Sequence, residues 1–337
     1  VSTTLPVLDH ETVLSYMRLR EKYVGWAYDN HGIFAFTVPA TAAYVDSVAG
    51  NFRRLCSDPQ SDPRLLRKQA RILYDLLIAP AAAKAPLRHN LTIAADGALN
   101  GIAFEALLDP QDGYLGERHS LNSSLGLYYL SNLHSARPIT ADSSAVVAFV
   151  PQPHFSIDNL KLPFLKDAED EGKMVGGKFH FAKLLQDRGA TMAALEPELA
   201  RVEIFHFAGH ALALPGKTGL LLSDALFGPE ELKGVDLKHL QLAVLSACDT
   251  AGEIEGAEFN PDSLVFPFAF AGVPRVVVSR WNVDSAATSQ FVDLFYQNLL
   301  EGKTTADALR NAEAGLRAKV DTQHPYYWAA FTEFGVN

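Results

Sequence analysis

Apolar residues recur along the chain in two rhythms, one with helical spacing and one alternating or continuous as in strands. In the first part the two are mixed. The stretch at 9–21 reads as a helix. Aromatic alternation over Tyr23–Tyr28 and Ile33–Thr37, on either side of Asp29-Asn-His-Gly32, predicts a β-hairpin. Helical stretches follow at 41–56 and 63–79, where Leu66, Ala70, Leu73 and Leu77 make an apolar stripe. Leu91–Leu99 reads as a strand running into an Asp96-Gly97 turn. Ile102–Leu108 leads to a polar loop at 109–117, and Pro138–Ser144 marks a boundary.

Beyond that boundary, strand and helix alternate. Continuous apolar runs at 145–150, 202–208, 242–247 and 274–280 predict buried strands. Helices are expected at Thr191–Arg201, 228–234, 261–271, 284–300 and 304–319, with Asp284 and Thr304 as caps. The charged segment from Lys166 starts a helix or a surface loop. Tyr326–Phe334 reads as a last strand. This order predicts an α/β fold, a mostly parallel sheet with helices on both faces. The halves divide at 1–143 and 144–337.

Composition narrows the function classes. Lys plus Arg is 29 against 39 Asp plus Glu, a net charge of −10, which argues against a nucleic-acid partner. No apolar run is long enough for a membrane span. The first residues lack the form of a signal peptide, and the absence of an initiator Met fits a piece of a longer protein. With only Cys56 and Cys248, no disulfide framework arises, and a cytoplasmic, reducing location is expected. Cys56 reads as a half-buried structural thiol.

Cys248 reads differently. It ends the run Leu242–Ala247, as His210 ends Val202–Ala208 just past Gly209. Open α/β sheets collect their chemistry at the carboxyl ends of strands. The sequence therefore places His210 beyond its strand, meeting Cys248 at one sheet edge as base and nucleophile. His206 lies four residues earlier, ~13 Å deeper, and reads as a core histidine sharing a face with Ile204 and Ala208. Alone, Cys248 would pass for a small buried hydrophobe; its pairing with His210 reverses that reading. The backbone N–H groups of Ala211 and Cys248 are candidate oxyanion donors. No third member is evident, and Asp249 carries little weight as an orienter. Gly216-Lys-Thr218 resembles the end of a phosphate loop but lacks the earlier glycine. No His/Cys cluster suggests a metal, and no cofactor is expected.

His206-Phe-Ala-Gly-His210, Leu245-Ser-Ala-Cys-Asp-Thr250, Val276–Asp284 and His324–Phe331 together resemble a CHAT domain, a branch of the caspase–separase group of cysteine proteases. The resemblance covers nearly the whole chain. It implies a caspase-like sheet with an N-terminal degenerate caspase-like α+β lobe, His210 as catalytic histidine and Cys248 as nucleophile. It further implies a cysteine endopeptidase acting on a protein or peptide substrate, controlled by an attached or partner sensor, often of helical repeats. Family members usually carry Gly where this chain has Ala211, and Gly-Glu-Gly where it has Gly256-Ala-Glu258. If position 211 needed positive φ, alanine would cost about 1 kcal/mol. Arg- or Lys-directed relatives place an acidic residue where this chain has Ser246, which favours a neutral P1. Asp249, Glu253, Glu255, Glu258 and Asp284 near the expected mouth keep a basic P1 open. Trp281 and Asn282 read as packing under the loop. The alternative to an enzyme is a catalytically silent caspase-like scaffold; an acyltransferase using the same pair is a third reading.

Overall fold

Strand β1 (Glu11–Arg18) stands where spacing predicts a helix over 9–21. It is an interior strand, antiparallel to β2 (Lys22–Asp29) and parallel to β4 (Asn90–Ala94). Both its faces are covered, so Val13, Leu14 and Tyr16 are all buried and the two-residue period is hidden. Pairing on both sides outweighs local spacing in so short an apolar run. The computed structural model describes residues 10–126, 136–155, 162–214, 217–249 and 262–335, with backbone only at 213–214, 248–249 and 262–263.

The chain divides into two compact units: residues up to 132 together with 316–330, and residues 133–315 together with those from 331 onward. In the first, the strand order is β5 (Ser120–Ser123), β4, β1, β2, β3 (Gly32–Thr41). The expected hairpin is β2–β3, closed where Asp29 pairs with Gly32 and the Asp29 carboxylate accepts the His31 N–H at 2.8 Å. Helix α1 (Ala42–Cys56) is capped by Thr41 Oγ1 and buries Val45, Ala49, Phe52 and Cys56. Helix α2 (Pro63–Leu73) starts with an Asp62 cap and Pro63 in its first turn. The expected stripe Leu66, Ala70, Leu73 and Leu77 is fully buried. The backbone then widens into a π-turn at Tyr74–Ile78. Pro80 follows it, lacks an N–H and would crowd the carbonyl of Leu76, which accounts for the widening. The returning segment supplies Trp328, whose ring lies 5.0 Å from that of Tyr114, with the Arg317 guanidinium over both.

In the second unit, β6 (Ser144–Val150) pairs in parallel with β7 (Phe181–Gln186) and with β8 (Ile204–Leu214). Near its far end β8 turns into an antiparallel hairpin with β9 (Lys217–Leu221), which pairs with β10 (Leu226–Phe227). On its other side β8 is parallel to β11 (Leu242–Asp249), β11 to β12 (Arg275–Ser279), and β13 (Phe331–Gly335) closes the row antiparallel. The fully buried runs of β6 and β12 suit a sheet covered on both faces. Helices α3 (Lys166–Gly176) and α6 (Ser285–Leu300) lie on the His206 face. Helix α4 (Met192–Leu199) precedes β8. Helix α5 (Asp262–Phe270) covers the opposite face, where Phe268 stacks on Phe205 at 5.9 Å. Helix α7 (Thr305–Arg317) follows, with Thr304 capping it as expected.

Two expectations are corrected here. β8 does not stop at Ala208; it continues to Leu214, because pairing with β9 extends it past Gly209, so His210 lies within the strand. The last strand is shorter than expected, since Pro325 starts a helical turn at Pro325–Trp328 before β13.

Candidate active site

β8 and β11 are neighbouring parallel strands, and their register pairs His210 with Cys248, Gly209 with Ala247 and Ala211 with Asp249. The two residues expected to meet are thus direct partners across one strand pair. Beyond the β11–β12 ladder, Ser279 Oγ donates to the Ala247 carbonyl at 3.0 Å, fixing the backbone one residue before Cys248. Gly209 is sterically required: a Cβ there would sit 2.9 Å from the Phe207 ring and 3.0 Å from the Val150 carbonyl.

His210 is buried. Its Nε2–H donates to the Pro163 carbonyl at 2.8 Å. A carbonyl accepts only, so the proton resides on Nε2 and Nδ1 carries the lone pair. Among the described residues Nδ1 has no hydrogen-bond partner. Burial pushes the His210 pKa down, with the Pro163 carbonyl pulling weakly the other way. The outcome is a neutral imidazole held in one tautomer with its basic nitrogen available, the form a general base needs.

His206 is the core histidine expected. It is fully buried on the face of Ile204 and Ala208, with Nε2 3.0 Å from Glu171 Oε1 and Nδ1 3.1 Å from Tyr296 Oη. Glu171 reaches it because α3 runs close to β6 at Gly172, where a Cβ would meet the Phe149 ring at 2.2 Å. Both nitrogens of His206 are therefore engaged in binding α3 and α6 to the sheet.

The remaining expected residues are dispersed. Ser246 is buried in β11, in register with Ala208. Ala211 is buried in β8, in register with Leu220 and Asp249; among the described residues only Asp112 and Asp187 are non-glycines with positive φ, so Ala211 has no backbone strain. Asp249 ends β11. Glu253, Glu255 and Glu258 lie outside the described residues. Asp284 is exposed, and its carboxylate accepts the Ala287 N–H at 3.1 Å as the cap of α6. Trp281 is buried and Asn282 exposed. Cys56, expected half-buried, is fully buried at the end of α1. Among the described residues no three His, Cys, Asp or Glu side chains are grouped to hold a metal, and no helix is long and apolar enough to cross a membrane.

Sequence reasoning missed the orienting group. Pro163 acts through its main-chain oxygen, which any residue type would supply, so no motif marks it. Ser279 stands inside the strand expected at 274–280 and the motif Val276–Asp284, where no role marks it.

The model of the CHAT domain family matches residues 67–336. The mouse and human proteins named tetratricopeptide repeat protein 28 are 27% and 26% identical, over 88% of this chain. The chain spans only 14% of their length. Among solved structures, the fold is similar to the Arg-specific cysteine proteinase gingipain R, with a TM-score of 0.51, 11% identity, and coverage of 87% of this chain and 74% of that one. It is also similar to the Saccharomyces cerevisiae separase–securin complex, with a TM-score of 0.50, 13% identity, and coverage of 92% of this chain and 21% of that one. The caspase-like architecture of a mostly parallel sheet flanked by helices is shared with both.

Proposed function

Because the chain belongs to the CHAT domain family, we propose that it is a cysteine endopeptidase cleaving a protein partner through Cys248 and His210. The observation that carries this reading is the register pairing of those two residues, with His210 held so that Nδ1 keeps its lone pair. Register partners on parallel strands belong to the same side of the pleat.

The chemistry runs as acyl transfer. Nδ1 of His210 takes the Cys248 proton, and the thiolate attacks the scissile carbonyl carbon. The oxyanion accepts from the backbone N–H groups of Cys248 and Ala211. The imidazolium, its Nε2–H still on the Pro163 carbonyl, gives its Nδ1 proton to the departing amine. Water, deprotonated by the same nitrogen, then hydrolyses the thioester and restores the thiol. The low-lying His210 pKa disfavours a resting imidazolium, and the main-chain carbonyl offsets part of that when the charge forms.

Ser246 supplies no charge two positions before the nucleophile, so we read the P1 preference as neutral; a basic P1 would have to draw on Asp249, Glu253 or Asp284. The lobe at 1–143 is read as the degenerate caspase-like partner of the catalytic lobe at 144–337. A helical-repeat regulator is the partner class we propose, supported by the tetratricopeptide repeat names of the curated relatives. The same names, which describe repeat proteins, also support a second reading as a catalytically silent interaction scaffold. The compartment we propose is the reducing cytoplasm, where a free thiol persists.

The test is digestion of a peptide library derived from a proteome, read by mass spectrometry with and without a candidate partner. Cleavage should drop by at least about 10³-fold in Cys248→Ala and in His210→Ala. Undiminished cleavage by either variant overturns the dyad, and a parent protein that cleaves nothing with or without the partner leaves the scaffold reading standing. The library reads the P1 residue directly.

A further inference from the structure

We propose that His154 and Asp187 form a clasp that positions the His210 base, an inference that rests on the dyad reading above. His210 is oriented by the Pro163 carbonyl, and Pro163 belongs to an exposed stretch outside the sheet. Something must hold that carbonyl in place. Its base is closed by Leu165 N–H donating to the Pro151 carbonyl at 2.9 Å, so Pro163 is tied to Pro151 only two residues away. Pro151 directly follows Val150, the register partner of Gly209, which brings this closure beside His210.

From Pro151 the chain runs Gln152-Pro153-His154, and there it is fixed a second time. Prolines at 151 and 153 lock their own φ and restrict Gln152, making this a stiff arm. His154 Nε2 meets Asp187 Oδ1 at 2.7 Å, and His154 N–H donates to the Ser223 carbonyl at 2.8 Å. Ser223 N–H donates to the Ala190 carbonyl at 2.9 Å, and Ala190 N–H to the Asp187 carbonyl at 3.0 Å. The four bonds close a ring. Asp187 sits at φ 43°, a left-handed conformation that an aspartate holds when its surroundings dictate it. Neither His154 nor Asp187 belongs to the buried core; their side chains are 28% and 42% exposed. A histidine–carboxylate contact placed there contributes little to global stability. Its effect is local: it fixes the arm at Pro151, and through the Leu165 closure the direction of the Pro163 oxygen. His154 and Asp187 are positioning residues, touching neither substrate nor thiol.

The experiment is the pH profile of Cys248 alkylation by iodoacetamide, followed by mass spectrometry from pH 5 to 9, with buried Cys56 as the internal control and the thermal midpoint recorded for each variant. In the parent protein the neutral His210 imidazole takes the thiol proton as the sulfur attacks, so Cys248 should be alkylated faster at pH 7 than in His210→Ala. His154→Phe and Asp187→Ala should each slow alkylation at pH 7 toward the His210→Ala rate, by about two- to five-fold. Asp187→Asn, which keeps the accepting oxygen, should recover most of the loss. Variants that fold and keep the parent profile overturn the clasp and leave the dyad intact. Alkylation as fast in His210→Ala as in the parent protein overturns the dyad reading, and the clasp with it.

Discussion

Gly209→Ala and Gly50→Ala should change the protein in opposite directions. Both add a single methyl group. At Gly50, inside α1 and facing solvent, a Cβ would meet nothing within 4 Å. Alanine there removes backbone freedom from the unfolded chain and improves helix propensity, a gain of about 0.4–1 kcal/mol. At Gly209 the methyl would lie 2.9 Å from the Phe207 ring and 3.0 Å from the Val150 carbonyl. Phe207 is fully buried and cannot swing away, and the carbonyl belongs to β6, paired on both sides. The strands must separate locally, and overpacking of this kind costs about 1–3 kcal/mol. His210, the next residue, moves with its strand. A misplacement near 1 Å is enough to lower a reaction about 10²-fold. Urea denaturation gives the stability difference, and Cys248 alkylation at pH 7 gives the site's response. Gly209→Ala with parental stability and parental alkylation would refute the close-approach argument. Gly50→Ala as destabilising as Gly209→Ala would show that the methyl group acts by some route other than contact.

Glu171→Ala should leave a fully buried His206 nitrogen without its partner and lower stability by about 1–3 kcal/mol in thermal or urea unfolding, while Cys248 alkylation stays at the parental rate. Glu333, buried in β13, has its carboxyl pKa pushed up to about 8 by desolvation, with Arg275 opposing. A raised acid binds its proton more tightly when folded, so its contribution to stability is present at acid pH and declines as pH rises through about 8. Stability curves taken from pH 5 to 9 should therefore flatten in Glu333→Gln, and a slope equal to the parent's would contradict the assignment. Asp284→Ala should cost about 1 kcal/mol through loss of the α6 cap, whereas Asp284→Asn, which keeps an accepting oxygen, should match the parent; a change in cleavage preference in the Asn variant would reveal a substrate role separate from capping.

Much of the second unit could be read from sequence because parallel strands covered on both faces leave continuous apolar runs, as in Ala145–Val150 and Leu242–Ala247. The helix caps at Asp284 and Thr304 were legible for the same local reason. β1 was not: burial of both its faces removes the alternation that distinguishes a strand. β7 was missed because it is an edge strand, with Phe181 and Leu184 exposed and its apolar run broken by Lys183. At the site, the His210–Cys248 juxtaposition follows from both residues standing at the ends of apolar runs, and the register pairs their backbones. The length of β8 did not follow, since it depends on pairing with β9. The Pro163 contact did not follow either, because a carbonyl oxygen carries no residue identity. His206 was separable from His210 by depth alone, and its partners Glu171 and Tyr296 lie on helices that only tertiary packing brings to it.

The return of residues 316–330 to the first unit limits how the protein can be dissected. A single cut between residues 132 and 144 would give an upstream piece missing Arg317 and Trp328, and a downstream piece in which the Trp328 indole has lost the Tyr114 ring. Each fragment would uncover aromatic surface that the other covers in the intact chain, an invitation to aggregate. Subcloning either portion in isolation therefore calls for grafting or co-expression of the complementary strip.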